Sequence, residues 1–90
     1  MKHEVFVINQ TIAVLTLARE QCEREWPKTC PVRALWLKPM TEISEPYRFL
    51  AAALPAPWTS IPAYSDYKYT TKADVLALFD RAIALAQEAA

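Results

Sequence analysis

The stretch that decides the predicted fold is Pro31-Val32-Arg33-Ala34-Leu35-Trp36-Leu37-Lys38-Pro39. A mostly apolar run bounded by prolines is typical of a β-strand that is buried on most of both faces. A second run, Glu4-Val5-Phe6-Val7-Ile8, is rich in the β-branched and aromatic residues that strands favour. The sequence therefore predicts one strand at 4–8 and another at 31–39.

A long helix is predicted between these two strands. Asn9 is a suitable N-cap, and Pro27 ends the helix because proline disfavours the helical conformation of the residue before it. Helical spacing places one apolar stripe along it, made of Ile12, Leu15, Ala18, Cys22 and Trp26 and widened by Val14 and Leu17. Strand, helix and strand in this order form a βαβ unit with parallel strands and a right-handed crossover.

Two further helices are predicted in the second half of the chain. Ser44 caps the first, Pro46 fits its first turn, and Pro55 stops it. The apolar face of that helix consists of Tyr47, Leu50, Ala51 and Leu54. The last helix begins at Thr71, with Asp74 three residues on as in a capping box. Its apolar face consists of Val75, Leu78, Phe79, Ala82, Ile83 and Ala86.

The segment between these helices is predicted to be a loop followed by a short strand. Residues 55–65 are proline-rich and indicate an extended loop, whereas 66–70 alternate polar and aromatic residues as a half-buried edge strand does. The predicted fold class is thus α+β. A single small domain over residues 1–90 contains the βαβ unit, two further helices and the edge strand.

Composition excludes several classes of function. The 90 residues include no glycine, so the chain has no Walker loop, no dinucleotide-binding fingerprint and no nucleophile elbow. Ten Lys and Arg balance ten Asp and Glu. A net charge of zero is not the basic footprint of a nucleic-acid-binding domain. It also leaves little repulsion between copies, which favours self-association into a homo-oligomer.

The inventory of reactive side chains predicts no enzyme, no metal and no cofactor. The only histidine, His3, lies near the terminus, and the spacing of Cys22 and Cys30 does not fit a structural zinc site. No apolar run approaches the ~20 residues of a membrane span, so we expect no membrane association. We expect a cytoplasmic protein with reduced thiols, located in the host cell if a phage encodes it. The alternative for the thiols is a Cys22–Cys30 disulfide that forms under oxidising conditions.

Aromatic and basic residues alternate in the loop and in the segment that follows it. They are Trp58, Tyr64, Tyr67 and Tyr69, with Lys68 and Lys72 between and beside them. Three interpretations are open: the loop packs back over the sheet, its rings anchor a protein interface, or the rings stack on bases while lysines meet phosphates.

The order of the predicted elements resembles the NinB (Orf) recombination proteins of lambdoid phages. The resemblance lies in Val5-Phe6-Val7-Ile8 with the following helix and strand, in Ser44-Glu45-Pro46-Tyr47-Arg48-Phe49-Leu50-Ala51-Ala52-Ala53-Leu54, and in Thr70-Thr71-Lys72-Ala73-Asp74-Val75-Leu76-Ala77-Leu78-Phe79-Asp80-Arg81-Ala82. It implies a small dimeric phage protein that acts at DNA recombination or replication. Its partners would be single-stranded DNA and the host protein that coats it.

Two functions are therefore predicted. In the first, the protein is a non-enzymatic phage-type accessory at DNA recombination or replication that binds single-stranded DNA or its host binding protein. In the second, it is a phage or mobile-element protein that binds and inhibits a host defence or regulatory protein, without nucleic-acid contact. The candidate residues for binding either partner are Arg48, Trp58, Tyr64, Tyr67, Lys68, Tyr69 and Lys72.

Overall fold

A computed structural model describes residues 2–36 and 44–89. Within these two ranges the chain forms five α-helices and no β-strand. The helices are α1 (Lys2–Glu25), α2 (Pro31–Trp36), α3 (Ser44–Ala53), α4 (Ile61–Asp66) and α5 (Lys72–Ala89). The described part of the protein is therefore all-α, and the predicted α+β class with its βαβ unit is wrong.

The first predicted strand, 4–8, belongs to the N-terminal part of α1. Ile8 is buried and lies seven residues before the fully buried Leu15, which is the spacing of two helical turns. Asn9, the predicted N-cap, lies inside the helix with its side chain exposed. Extending a formed helix adds one hydrogen bond per residue fixed, whereas a new element must be nucleated. For this reason a short run with strand propensity continues the helix beside it and does not form a strand.

The second predicted strand begins as α2, and residues 37–39 lie outside the described residues. Pro31 is the first residue of α2, where its missing N–H costs no hydrogen bond. The N–H of Ala34 donates to the Cys30 carbonyl at 3.0 Å and closes the first turn. A proline before an apolar run thus starts a helix as readily as it bounds a strand.

One apolar cluster joins all five helices. α5 packs against both α1 and α3, and α2 packs on α1 and contacts α4. The predicted stripe of α1 is buried at its centre, but Leu17 is 49% exposed and does not widen it. The cluster consists of Val14, Leu15, Ala18, Cys22, Ala34, Leu35, Leu50, Ala53, Ile61, Tyr64, Val75, Leu78, Phe79 and Ala82.

α3 lies close to its predicted bounds, although Ser44 is its first helical residue and not a cap before it. The predicted start of α5 is confirmed. α3 begins at Ser44, whose side chain lies outside the described residues, and ends at Ala53, shortly before Pro55. The N–H of Asp74 donates to Oγ1 of Thr71 at 3.2 Å, and the N–H of Thr71 donates to the Asp74 carboxylate at 2.9 Å. This reciprocal pair is a capping box with Asp in the place of Glu.

The predicted loop at 55–65 is interrupted by α4. Ser60 caps this helix by accepting the N–H of Ala63 at 3.3 Å, and Pro62 lies in its first turn. A polar cap followed by an N-terminal proline is a helix start signal within the proline-rich stretch. The connection before α4 therefore ends at Ser60, and it is not fully extended, because the N–H of Trp58 donates to the Pro55 carbonyl at 2.9 Å and closes a turn.

The predicted edge strand at 66–70 consists of the last residue of α4 and the turn that follows it, so that prediction is also wrong. The N–H of Thr70 donates to the Tyr67 carbonyl at 2.9 Å, and the Thr70 hydroxyl donates to the Tyr64 carbonyl at 2.7 Å. These bonds satisfy carbonyl groups that the end of α4 leaves without helical partners. The alternation of tyrosines therefore serves a tight reversal between α4 and α5.

Candidate functional site

Four aromatic side chains lie in a continuous row, which we call the aromatic row: Tyr64, Trp58, Tyr67 and Tyr69. The ring centroids are 5.5 Å apart for Trp58 and Tyr64, 5.2 Å for Trp58 and Tyr67, and 5.4 Å for Tyr67 and Tyr69. The rings meet edge to face or tilted, as aromatic pairs prefer. Exposure rises along the row, from 8% at Tyr64 to 45% at Tyr67 and 66% at Tyr69.

Three neighbouring pieces of chain build the aromatic row. Tyr64 lies on α4 and belongs to the core cluster, while Trp58 comes from the loop before α4 and packs against that cluster. Tyr67 caps the C-terminus of α4, and the turn closed by Thr70 brings Tyr69 beside it. The row is thus anchored in the core at one end and open to solvent at the other.

The structure separates the interpretations of these aromatic residues by position. Trp58 and Tyr64 pack against the core, as in the first interpretation, but the core that they cover is formed by helices and not by a sheet. Tyr67 and Tyr69 cover little of the core and remain exposed. The surface available to a partner is therefore the exposed end of the row.

The basic candidates lie at different distances from this surface. Nζ of Lys68 lies 5.0 Å from the centroid of the Tyr69 ring, in a cation–π contact. Lys72 is the exposed first residue of α5. Arg48 lies on α3, where its guanidinium is 2.6 Å from the Glu45 carboxylate. Within the described residues, the structure brings Lys68 to the aromatic row but gives Arg48 no contact with it.

The surroundings of Tyr64, at the buried end of the row, favour the uncharged form of its hydroxyl. Burial raises the pKa of the Tyr64 hydroxyl, and the nearby carboxylate of Asp74 raises it further. The Arg81 guanidinium opposes this through its charge and a hydrogen bond, but the pKa remains raised. Tyr64 is therefore a packed, uncharged residue that anchors the row in the core.

A groove of about 310 Å³ lies beside Tyr67. Its lining residues are Trp26, Pro27, Cys30, Ser65, Asp66, Tyr67, Lys68 and Thr70. The volume is at the lower end of the range of about 300–1,000 Å³ found for ligand pockets. Sequence reasoning missed the wall formed by Trp26 and Cys30, because it comes from the other half of the chain. Trp26, directly after the end of α1, is the sequence signal for this wall, but its helical spacing predicts a place in the buried stripe of α1.

Reactive side chains are scattered in the described part of the chain. Among its His, Cys, Asp and Glu residues, no group of three or more is placed to hold a metal ion. Cys22 is a buried free thiol and Cys30 a half-buried one, while the side chain of His3 lies outside the described residues. None of the described helices combines the length and apolar character needed to cross a bilayer.

Over the described residues, the fold is all-α and the surface carries two neighbouring exposed tyrosines, Tyr67 and Tyr69. Residues 10–85 match the model of a family of unknown function, DUF6197, and the chain belongs to this family. No curated protein and no solved structure matches the chain. Nothing in these comparisons links it to the NinB proteins. Its resemblance to them stays a prediction, without the strand–helix–strand opening on which it partly depended.

Proposed function

We propose that this protein is a non-enzymatic interaction protein that binds another protein chain through Tyr67 and Tyr69. The observation that carries the proposal is their exposure, 45% and 66%, on rings that are already held in place by neighbouring rings. Tyrosine is a favoured anchor of protein interfaces because it offers a large apolar face and a polar hydroxyl.

The exposed tyrosines are pre-organised for binding. Tyr67 leans on Trp58, and its carbonyl accepts the N–H of Thr70 at 2.9 Å, which fixes the turn. Tyr69 in turn contacts the Tyr67 ring. A partner therefore gains contact area without having to order a loop, which is a main cost of association.

The charges near this surface favour a protein partner over a nucleic acid. Asp66 is exposed directly before Tyr67, and Lys68 follows it, so the turn carries both signs. Arg48, the third basic candidate, is paired with Glu45. A surface that tracks phosphates needs an excess of positive charge, and the net charge of the chain is zero. Inhibition of a host protein, the second function predicted from the sequence, is one form of this activity.

Single-stranded DNA is the second candidate partner. The observation that favours it is the Lys68 ammonium over the Tyr69 ring, 5.0 Å from its centroid, with the exposed Lys72 nearby in sequence. Stacking rings with adjacent cations are the means by which single-strand binders hold bases and phosphates. The role in DNA recombination or replication implied by the NinB resemblance would use this contact.

Affinity capture with matched variants tests the proposal. The double variant Tyr67→Ala/Tyr69→Ala removes the exposed end of the row, and Tyr47→Ala removes a tyrosine of similar exposure, 41%, on α3. Proteins recovered by both the wild type and Tyr47→Ala should be lost with the double variant. Recovery of the same proteins by all three, with self-association also unchanged, would refute the proposal.

A salt titration separates the two candidate partners. We expect fluorescence anisotropy to show no binding of a labelled single-stranded oligonucleotide at low salt. Binding that weakens steeply with salt and is reduced by Lys68→Ala or Lys72→Ala would replace the protein partner with single-stranded DNA.

A further inference from the structure

Two opposite charges flank the exposed Tyr67. Asp66 precedes it and Lys68 follows it, and both side chains are exposed. Neither takes part in an ion pair with any other residue in the described part of the chain. The Lys68 ammonium rests over the Tyr69 ring instead. Residues 66–69 are the end of α4 and the turn after it, and we call them the turn 66–69. This segment presents one negative and one positive charge to a partner, with a tyrosine between them.

The position of Asp66 makes an incoming cation favourable. Asp66 is the last residue of α4, and the last turn of this helix holds no basic residue. The final carbonyl groups of a helix carry partial negative charge, so a carboxylate there is unfavourable and a cation is favourable. An ammonium group from another chain would be attracted by the exposed Asp66 carboxylate, which has no basic neighbour in the last turn of its own helix.

We propose that the turn 66–69 docks on the same turn of a second copy of this chain. A two-fold axis at Tyr67 pairs Asp66 of each protomer with Lys68 of its partner, and the two Tyr67 rings meet at the axis. A two-fold interface requires each patch to be complementary to itself, and the order of acid, tyrosine and base meets this requirement. The inference rests on the proposed function and names the partner for the same surface.

The charge balance favours a second copy over the other occupants. The chain carries no net charge, so two copies approach without long-range repulsion. A nucleic acid strand would bring its phosphates close to the Asp66 carboxylate, which repels them. An unrelated protein would need the matching order of charges, which a second copy supplies by symmetry.

Two charge reversals test the arrangement. Asp66→Lys places two lysines opposite each other in the symmetric pair, and Lys68→Glu places two acids opposite each other. Each variant alone should self-associate at least about tenfold more weakly than the wild type, because like charges face each other across the interface. An equimolar mixture should recover the association, because every lysine then faces an acid. Sedimentation velocity at low salt measures all four samples.

The mixture also serves as the folding control, since a misfolded variant would not restore association in its complement. The inference is overturned if the wild type sediments as a monomer at high micromolar concentration, if the single variants associate like the wild type, or if mixing restores nothing.

These failures are distinguishable from failure of the proposed function. A monomeric wild type whose captured proteins are lost on Tyr67→Ala/Tyr69→Ala would overturn the second copy as partner but leave a protein-binding surface. A double tyrosine variant that changes neither the captured proteins nor self-association would refute the proposed function itself.

Discussion

Arg19 on α1 holds Asp80 on α5 with two hydrogen bonds across the two packed helices. Nε of Arg19 donates to Oδ1 of Asp80 at 2.7 Å, and a terminal nitrogen donates to Oδ2 at 3.4 Å. The hydrogen bond to Asp80 raises the pKa of Arg19, although partial burial opposes this. A planar guanidinium matches a carboxylate in this two-pronged geometry as a lysine cannot.

Arg19→Ala, Asp80→Ala and the double variant should show a coupling energy of roughly 0.2–1 kcal/mol in a double-mutant cycle. The value is modest because the side chains are 29% and 58% exposed and water screens the pair. Urea denaturation measures the free energies of unfolding. Glu23, 3.8 Å from Arg19, supplies the comparison: the Arg19–Glu23 cycle should give a smaller coupling. Equal couplings would contradict the importance of the two-pronged geometry.

Thr71→Ala should lower the free energy of unfolding by about 1 kcal/mol, since it removes the side-chain cap of α5. The Thr71 hydroxyl accepts the Asp74 N–H at 3.2 Å, and no helical carbonyl precedes it to replace this acceptor. Thr59→Ala is the matched control, because Thr59 is exposed and lies just outside the cap of α4. A Thr71→Ala variant as stable as Thr59→Ala would show that this cap contributes nothing measurable.

The capping box also shows which parts of the fold the sequence predicts. Thr71 and Asp74 lie three residues apart, so the capping box can be recognised in the sequence without knowledge of the tertiary structure. The runs at 4–8 and 31–39 carry no such local signal, because a short apolar run fits a buried strand or a buried helix equally well. The outcome at 4–8 depends on the continuity of α1, and the outcome at 31–36 depends on packing against α1 and on contact with α4.

The candidate site was predictable to a similar extent. Clustering of Trp58, Tyr64 and the two later tyrosines in the sequence indicates the segment in which the structure brings all four rings together. The exposure of Tyr67 and Tyr69 depends on the turn that the bonds of Thr70 to the Tyr64 and Tyr67 carbonyls close. The sequence predicts a strand at 66–70 and therefore does not predict these bonds. The groove wall at Trp26 is not predictable from the sequence pattern, because it forms only where two segments far apart in the chain come together.

Arg81→Ala should destabilise the protein by about 1 kcal/mol through the loss of a contact between α5 and the end of α3. Nε of Arg81 donates to the carbonyl of Ala53, the last residue of α3, at 3.0 Å. A charged donor on an otherwise unpaired helix carbonyl is worth more than a neutral bond, but Arg81 is exposed, which reduces its contribution. Arg24→Ala, an exposed arginine on α1, should change the urea midpoint much less. If both variants lose equal stability, the effect belongs to charge removal and not to the bonds of Arg81 with Ala53 and Tyr64.

Tyr64→Phe should make the stability of the protein less sensitive to alkaline pH. Burial and the Asp74 charge raise the pKa of Tyr64 above its ordinary value of 10.0. The folded state then holds this proton more tightly than the unfolded state, so its contribution is fully present below pH 10.0 and is lost as the pH rises through the folded-state value. Unfolding free energies measured from about pH 9 to 11.5 should fall more steeply for the wild type than for Tyr64→Phe. Tyr47→Phe, which removes an exposed hydroxyl on α3, controls for the loss of a tyrosine. Parallel curves for the wild type and Tyr64→Phe would show that the Tyr64 proton is bound equally in the folded and unfolded states.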